Sequence, residues 1–317
     1  ADGGVMEVLK KYAPDVPIHV STQANVVSLH AANFWHKNGA KRVIMAREAN
    51  KEQIRYIMEN KPKDLEVEMF GHGAICFAYS GRCFLSDFLC GRSANLGDCA
   101  QSCRWSYNLY AEEKNNPGQL MPLESDENGT SIFSSKDLCL IKEIPEIIDM
   151  GVDSLKIEGR LKTEYYVASV VNAYRTAIDD YMKDPENYDY TKYLNELEKV
   201  KTRPFTTFYF NDRKNEDIQD FSGKQYNDKY EFGGKIVEAK EEKSVIEIKN
   251  KLTVGDTLEI LKPGQFEPIE FKIEQLWDYE TGEKIDFVSP GVKGQKVLMN
   301  IPVKCENNWI MRRKKGN

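Results

Sequence analysis

Features of several protein classes are missing from this sequence of 317 residues. It lacks the run of about 18 apolar residues that a membrane-spanning helix requires. Its first residues, Ala1-Asp2-Gly3-Gly4, lack the basic start and apolar core of a signal peptide. They also lack an initiator Met, so we expect the chain to begin inside a longer gene product. The expected protein is cytoplasmic and has no membrane contact.

Two common enzyme motifs are absent as well. No predicted strand is followed by a glycine-rich phosphate-binding fingerprint, which disfavours a dinucleotide fold. No His-Glu-x-x-His helix is present to support a zinc peptidase. A Cys–His pair made by Cys76 and His72 stays conceivable, because a cysteine peptidase needs a base near its nucleophile. None of the cysteines lies in a recognised nucleophile motif.

Positive charge is not in excess, since the formal net charge is −6. A local basic patch matters more than the total for nucleic-acid binding. The run Arg312-Arg313-Lys314-Lys315 is such a patch, although a solvated tail explains it equally well. The chain has seven cysteines, most of them between positions 76 and 103. Clustered thiols in a cytoplasmic protein favour a metal centre or a redox role over disulfides.

Strand and helix patterns alternate through the first 200 residues, which predicts an α/β fold with a parallel sheet. Strands are predicted at 18–22, 42–48, 65–71, 131–135 and 154–159, with a helix at 136–150 after the fourth. Polar residues follow these strands, as they do at the active mouth of a (β/α) TIM-type barrel. A barrel needs about eight strands, so roughly three are expected upstream. We predict part of a barrel with a cysteine-rich insertion at 1–200, a linker at 201–225 and a small all-β barrel at 226–317.

The spacing of Cys76, Cys83, Cys99 and Cys139 leaves three interpretations open. Thiolates bind soft metals, and a cubane iron–sulfur cluster takes four of them. Structural zinc sites usually show paired Cys-x(2–4)-Cys knuckles, and only Cys99 and Cys103 have that spacing. Unliganded core thiols are the third possibility. Spacing alone does not decide among them.

Longer motifs surround these cysteines. They read Glu68-x-Phe70-x-x-Gly73-Ala74-Ile75-Cys76-x6-Cys83-x-Leu85-Ser86, Gly91-Arg92-Ser93-Ala94-Asn95, Cys99-Ala100-Gln101-x-Cys103-Arg104, Leu155-Lys156-Ile157-Glu158-Gly159-Arg160 and Ser21-Thr22-Gln23-Ala24-Asn25. The set resembles peptidase family U32, the collagenase-like peptidases of unknown catalytic type. The resemblance covers essentially the whole chain, including its β domain. It implies that the chain starts near the fourth strand of the barrel.

Relatives of this family hydroxylate tRNA uridine, ribosomal RNA cytidine or the ubiquinone ring and hold a [4Fe–4S] cluster. The resemblance therefore implies cluster ligation by Cys76, Cys83, Cys99 and Cys139, with Cys103 as a reserve ligand. It also implies prephenate as the oxygen donor for tRNA wobble-uridine 5-hydroxylation without molecular oxygen. A second subunit of the same family is the expected protein partner.

Charged residues at strand ends are the candidates for chemistry. Arg47, Lys156 and Arg160 could bind the prephenate carboxylates. Glu48, Glu158 and His72 could orient these cations or transfer protons. Equally, these charges could be ion pairs that fill a polar barrel mouth.

The candidates for substrate binding are Gln23, Asn25 and Arg104. Gln23 and Asn25 could bind a base edge or cap the following helix. Arg104, beside Trp105, could clamp RNA. A collagenase-like peptidase and a non-catalytic RNA-binding subunit remain the alternative functions.

One departure from the family pattern lies in the predicted linker. Relatives commonly read Ser-His-Arg and then Thr-Thr-Gly before aromatic residues. This chain has Lys201-Thr202-Arg203 and Thr206-Thr207-Phe208 instead. It cannot use chemistry that the missing His supplies in relatives.

Overall fold

The computed structural model describes residues 1–76, 78–105, 107–108, 110–112, 114–115, 117–118, 120–122, 135–211, 218, 229–291 and 294–315. The chain forms two compact units. The first unit contains Ala1–Glu158 and Arg203–Gln225, and the second contains Gly159–Thr202 and Tyr226–Asn317. In the described ranges, no helix is both long and apolar enough to cross a membrane.

The first unit alternates strands and helices. Its helices are α1 (Gly3–Tyr12), α2 (Leu29–Lys37), α3 (Lys51–Asn60), α4 (Leu85–Cys90) and α5 (Ile144–Asp149). Its strands are β1 (Ile18–Val20), β2 (Ala40–Ile44), β3 (Glu66–Ala74), β4 (Tyr110–Glu112), β5 (Leu120–Pro122), β6 (Asp137–Cys139), β7 (Ser154–Glu158) and β8 (Phe205–Thr206). Helix α3 starts with a capping box, in which Asn50 and Gln53 bond each other's backbone N–H.

The main sheet of this unit is mostly parallel. Its order is β1-β2-β3-β6-β8, and β7 also pairs with β3. Strands β1, β2, β3 and β7 are mutually parallel, whereas β6 runs antiparallel to β3. Buried side chains such as Val43, Val67 and Met69 form its core. The carboxyl ends of the four parallel strands therefore lie along one edge of the sheet.

The region around Cys139 differs from the prediction. A helix was expected at 136–150, but the chain first forms β6 and then the shorter α5. Residues 138–141 are four consecutive buried residues, a pattern that fits a covered strand and no single helix face. Pro145 lies in the first turn of α5, where its missing N–H costs nothing. The strand expected at 131–135 falls on residues of which only Ser135 is described, and β7 pairs directly with β3.

The second unit combines two helices with an antiparallel sheet. Its helices are α6 (Glu164–Lys183) and α7 (Thr191–Leu197). Its strands are β9 (Tyr230–Glu238), β10 (Ser244–Ile248), β11 (Leu252–Thr253), β12 (Thr257–Leu261), β13 (Ile269–Lys272), β14 (Leu276–Asp278), β15 (Lys284–Ile285), β16 (Phe287–Val288), β17 (Lys296–Met299) and β18 (Ile310–Lys314).

An eight-stranded sheet organises this unit, in the order β13-β12-β18-β9-β10-β17-β14-β15. All of its pairs are antiparallel, and alternate residues such as Ile236, Ile246 and Leu258 point into one apolar core. Helix α6 buries Tyr166, Val170 and Ala177 at helical spacing. The prediction of a mixed α/β part followed by an all-β sheet is confirmed.

The unit boundaries differ from the expected 200 and 226. Helices α6 and α7, assigned by sequence to the barrel part, belong to the second unit. Arg312 on β18 bonds Glu196 on α7, which explains that assignment. The expected linker at 201–225 begins in the first unit, where β8 pairs with β6. Most of its remaining residues lie outside the described ranges.

Candidate cysteine-rich site

Residues 76–104, here called the cysteine segment, follow β3 directly and carry five of the seven cysteines. They leave the sheet at the edge where the other parallel strands end. Gly73, just before this exit, has a φ of +115°, and a Cβ there would lie 2.2 Å from the Glu158 carbonyl oxygen. Only glycine permits both that conformation and this approach of β3 to β7.

The segment is attached to the ends of β1 and β2. Both carboxylate oxygens of Glu48 accept hydrogen bonds from Ser80, from its N–H at 2.7 Å and from its hydroxyl at 2.8 Å. Gln23 donates to the Ala94 carbonyl at 3.3 Å. Gly81, with a φ of +75°, leaves no room for a Cβ because the Gln23 carbonyl oxygen would lie 2.2 Å away. Glu48 and Gln23, predicted as catalytic and substrate-binding residues, therefore position the cysteine segment.

A buried ion pair fixes the other end of the segment. Arg104 donates to Asp137 on β6 at 3.0 Å and to the Ile75 carbonyl at 2.9 Å. The Asp137 side chain is fully buried, and that of Arg104 is 10% exposed. Asp137 also accepts the backbone N–H of Arg203 at 3.2 Å. The prediction that Arg104 contacts RNA is not supported, because its guanidinium is committed to this interior contact.

Three thiols of the segment lie within electrostatic range of Cys103. Burial and negative charge on Cys76, Cys99 and Cys83 raise the pKa of the Cys103 thiol, Arg104 lowers it, and the resulting pKa is about 11. Cys99 accepts the backbone N–H of Gln101 at 3.2 Å. None of the seven cysteines, all of which are described, forms a disulfide.

Cys139 has a different position. It ends β6, is 7% exposed and pairs in register with His72 of β3. Because β6 is antiparallel to β3, Asp137 pairs with Ala74 at the carboxyl end of β3, and Cys139 lies further back, opposite His72. The structure thus brings the reserve thiol Cys103 into electrostatic range of Cys76, Cys83 and Cys99, and places Cys139 beside His72, four positions before Cys76 in the sequence. In the described residues, no three His, Cys, Asp or Glu side chains converge as ligands of a single metal ion.

A pocket adjoins the segment, and the space inside it is about 330 Å³ when the part open to solvent is counted. Its lining is mainly apolar and aromatic, and Arg47 is the charged residue in it; the others are Met45, Ala46, Ala49, Ile54, Met69, Phe70, Ile75, Leu138, Leu140, Thr207, Phe208, Tyr209 and Phe210. Ile75 directly precedes Cys76. The Arg47 Nε is buried and has no hydrogen-bond partner within the described residues, as is also true of the Asn25 Oδ1. Such a cation in an aromatic pocket suits an organic anion.

The other predicted charges are dispersed. The Lys156 ammonium lies 5.6 Å from the centroid of the Phe70 ring, which lines the pocket. Glu158 ends β7 with one carboxylate oxygen buried. Arg160 is exposed and belongs to the second unit. Arg47 and Phe70 thus line the same pocket, and Lys156 lies over the Phe70 ring.

His72 is fully buried, with its ring edge-on to Phe205 at a centroid distance of 5.4 Å. A base in this position cannot meet a peptide in the surrounding solvent. The Cys76–His72 peptidase pairing is therefore not supported.

The basic patch predicted at the end of the chain is also largely neutralised. Arg312 is fully buried and bonded to Glu196 and Glu259. Arg313 bonds Glu231 and Asp256. Lys314 and Lys315 remain exposed. Two of the four predicted phosphate-binding charges thus stabilise the second unit.

Several residues of the site were missed by sequence reasoning. Asp137, Ser80 and the aromatic run 208–210 belong to it, although none was named as a site residue. The departure from the family pattern at Phe208 was the one signal that could have directed attention to that run. Asp137 and Ser80 give no local signal, because their partners are distant in sequence.

Comparison with known proteins confirms the resemblance to peptidase family U32. Peptidase family U32 matches residues 1–220, and its C-terminal domain matches residues 228–312. The chain belongs to peptidase family U32. It is 39% identical to tRNA hydroxylation protein P1 of Bacillus subtilis, over 90% of this chain and 67% of that protein. It is 34% identical to tRNA hydroxylation protein P of Escherichia coli, over 98% of this chain and 76% of that protein.

A further relative of this U32 chain acts on another RNA. The 23S rRNA 5-hydroxycytidine C2501 synthase of Escherichia coli is 32% identical, over 81% of this chain and 38% of that protein. The named relatives thus share hydroxylation of RNA, and the two with higher coverage are named for tRNA.

Proposed function

We propose that this U32 protein hydroxylates tRNA at the wobble uridine to give 5-hydroxyuridine, with a [4Fe–4S] cluster and prephenate as the oxygen donor. The observation that carries the proposal is the cysteine segment attached beside the Arg47 pocket, in a chain similar to tRNA hydroxylation proteins. Hydroxylation of a base needs redox chemistry that side chains lack. The cluster would supply that chemistry.

The thiols of the site fit a cubane cluster. Charge on Cys76, Cys83 and Cys99 acts on Cys103, and no three ligands converge on one ion in the described part of the chain. In a cubane each thiolate binds a different iron, so its ligands stand further apart than those of a zinc ion. We assign Cys76, Cys83, Cys99 and Cys139 as ligands. Cys103 is the competing fourth ligand.

The Arg47 pocket fits the proposed oxygen donor. Prephenate has one six-membered ring and two carboxylates. The aromatic lining suits the ring, and the guanidinium of Arg47 can bind a carboxylate through charge-assisted hydrogen bonds. Lys156, across the Phe70 ring, is placed to attract the second carboxylate. In this assignment the protein excludes water and orients the donor beside Ile75 and Cys76.

The remaining assignments rest on the family and on strand order. We infer that the first unit is the C-terminal part of a (β/α) barrel, supported by parallel strands whose carboxyl ends carry the site. We expect action in the cytoplasm, where tRNA is modified, together with a second subunit of the same family.

The test of this function is the tRNA of a deletion strain. Nucleosides from that strain should lack 5-hydroxyuridine derivatives, and the wild-type gene should restore them, whereas Arg47→Ala should not. The matched control is Arg55→Ala, which removes a half-buried arginine that bonds Glu52 and Glu146 and does not line the pocket. Unchanged nucleosides in the deletion strain would overturn the proposal.

The fourth ligand has its own test. Cys139→Ser and Cys103→Ser are purified without oxygen, and iron is measured per folded chain. Our assignment expects the larger loss of iron in Cys139→Ser. A larger loss in Cys103→Ser would give that role to Cys103, which lies in the same segment as Cys76.

A further inference from the structure

Phe208 has a backbone conformation that its residue type disfavours. Its φ is +52°, in the left-handed region, where a Cβ crowds the following carbonyl oxygen. Glycine, asparagine and aspartate adopt this region readily, whereas a bulky aromatic residue there is an outlier. The side chain of Phe208 is thus kept at a conformational cost.

The surrounding contacts hold this conformation in place. The Phe208 N–H donates to the Thr206 hydroxyl at 3.1 Å, and the Phe210 N–H donates to the Thr207 carbonyl at 3.1 Å. The Phe210 carbonyl accepts the Lys51 N–H at 3.1 Å, which fastens the run to the start of α3. Phe210 is 4% exposed. The run 206–210 is therefore a fixed wall of the pocket.

The Phe208 ring forms part of that wall. It lines the same pocket as Arg47 and packs edge-on against Tyr209 at a centroid distance of 4.5 Å. Unfavourable backbone conformations that persist in a folded protein cluster at ligand sites, where the surroundings enforce them. A glycine at this position would remove both the conformational cost and the ring.

From this geometry we propose that Phe208 determines the ligand specificity of the Arg47 pocket. Its ring limits the pocket to an anion with a single six-membered ring whose carboxylate binds Arg47. Larger aromatic carboxylates are excluded by the space that the ring occupies. The identity of the ligand rests on the proposed function, whereas the conformational cost is a property of this chain.

The test compares Phe208→Ala with Phe208→Gly in the full chain prepared without oxygen. Both variants lack the ring, and they differ only in tolerance of the left-handed conformation. Phe208→Gly should unfold with an equilibrium constant roughly 5-fold to 30-fold lower than that of Phe208→Ala. The matched pair Tyr209→Ala and Tyr209→Gly should show the reverse order, because Tyr209 has an ordinary negative φ.

Ligand binding is measured by calorimetry with prephenate and with naphthoate as the larger carboxylate. The wild-type protein should prefer prephenate, and both Phe208 variants should shift the ratio of the two dissociation constants towards naphthoate by about 10-fold or more. Equal stability of the two Phe208 variants would overturn the conformational argument. Wild-type selectivity in both variants would overturn the specificity role and leave the proposed function intact.

A third result separates the two proposals further. If the wild-type protein binds neither carboxylate, the pocket is not the donor site, and both this inference and the assignment of prephenate are wrong. Hydroxylation of tRNA would still be decided by the nucleosides of the deletion strain.

Discussion

Each unit contains one buried arginine–carboxylate network, and the two networks connect different kinds of structure. In the first unit, Arg104 and Asp137 join the cysteine segment to β6. In the second unit, Arg312 joins β18 to α7 and β12 through Glu196 and Glu259. The first network positions a segment with little regular structure, whereas the second joins a helix to two paired strands. Both arginines were plausible RNA contacts by sequence, and both are interior.

This difference predicts that one network controls the site and the other controls only stability. Removing one partner of a buried ion pair leaves an uncompensated charge, which costs roughly 3–5 kcal/mol. The loss should appear as unfolding of the second unit in one case and as loss of the proposed cluster in the other.

The largest effect is expected for Arg312→Met, which leaves the Glu259 carboxylate buried without its cation and the Glu196 carboxylate with Lys199 alone. The free energy of unfolding should fall by about 3–5 kcal/mol, measured by urea denaturation and by hydrogen exchange in β9 and β18. Iron per folded chain should stay at the wild-type value. Lys314→Met, at the exposed end of the same strand, is the control. Loss of iron in the folded Arg312 variant would contradict the comparison.

A slightly smaller effect is expected for Asp137→Asn, because part of the network remains as neutral hydrogen bonds. The free energy of unfolding should fall by about 2–3 kcal/mol, and iron per folded chain should fall as well. The control is Asp98→Asn, which removes an exposed carboxylate, 61% accessible, that pairs with Arg92 in the same segment. Full iron retention in Asp137→Asn would show that the buried pair does not position the thiols.

Glu48→Gln tests the attachment to β2. The amide can replace only one of the two acceptor oxygens that bond Ser80, so we expect a local cost of about 1–2 kcal/mol. This local cost should be measurable as faster hydrogen exchange near Ser80 and as faster loss of the proposed cluster in air. Glu52→Gln, on the exposed part of α3, should change neither rate.

The smallest effects are expected at surface carboxylates. A hydrogen bond from Arg42 lowers the pKa of Glu66 in the first unit, and hydrogen bonds from the backbone of Thr281 and Glu280 lower that of Asp278 in the second. A carboxyl group whose pKa is lowered by folding stabilises the protein at pH values above its unfolded-state pKa. This stabilisation is lost as the pH falls through the folded-state pKa. Glu66→Gln and Asp278→Asn should therefore lower the melting temperature slightly at pH 7 and not below about pH 3. A difference that persists there would show that the charges are not its source.

Local patterns predicted much of this fold. The parallel strands β1, β2, β3 and β7 and the antiparallel second sheet follow from runs of apolar residues and turn signals. The cysteine segment was found because its motifs are contiguous. Long-range partners were not predictable, since Arg104 and Asp137 are 33 residues apart and Arg312 and Glu196 are 116 apart.

The same limit explains the errors at unit boundaries and at Cys139. Helix α6 has a pattern that suits either a barrel or a sheet partner, and only tertiary contacts assign it to the second unit. The run 138–141 is apolar throughout, and short apolar runs do not distinguish a strand from a helix. Glu48 and Gln23 were correctly placed at strand ends. Their role in holding the cysteine segment required the position of Ser80 and Ala94.

The most direct test is the iron and acid-labile sulfide content of the full-length protein purified without oxygen. A [4Fe–4S] cluster predicts about four of each per chain, reduced strongly in Cys76→Ser and unchanged in Cys305→Ser, which alters a thiol of the second unit. One zinc ion per chain with no sulfide, or full iron content in Cys76→Ser, would contradict the account.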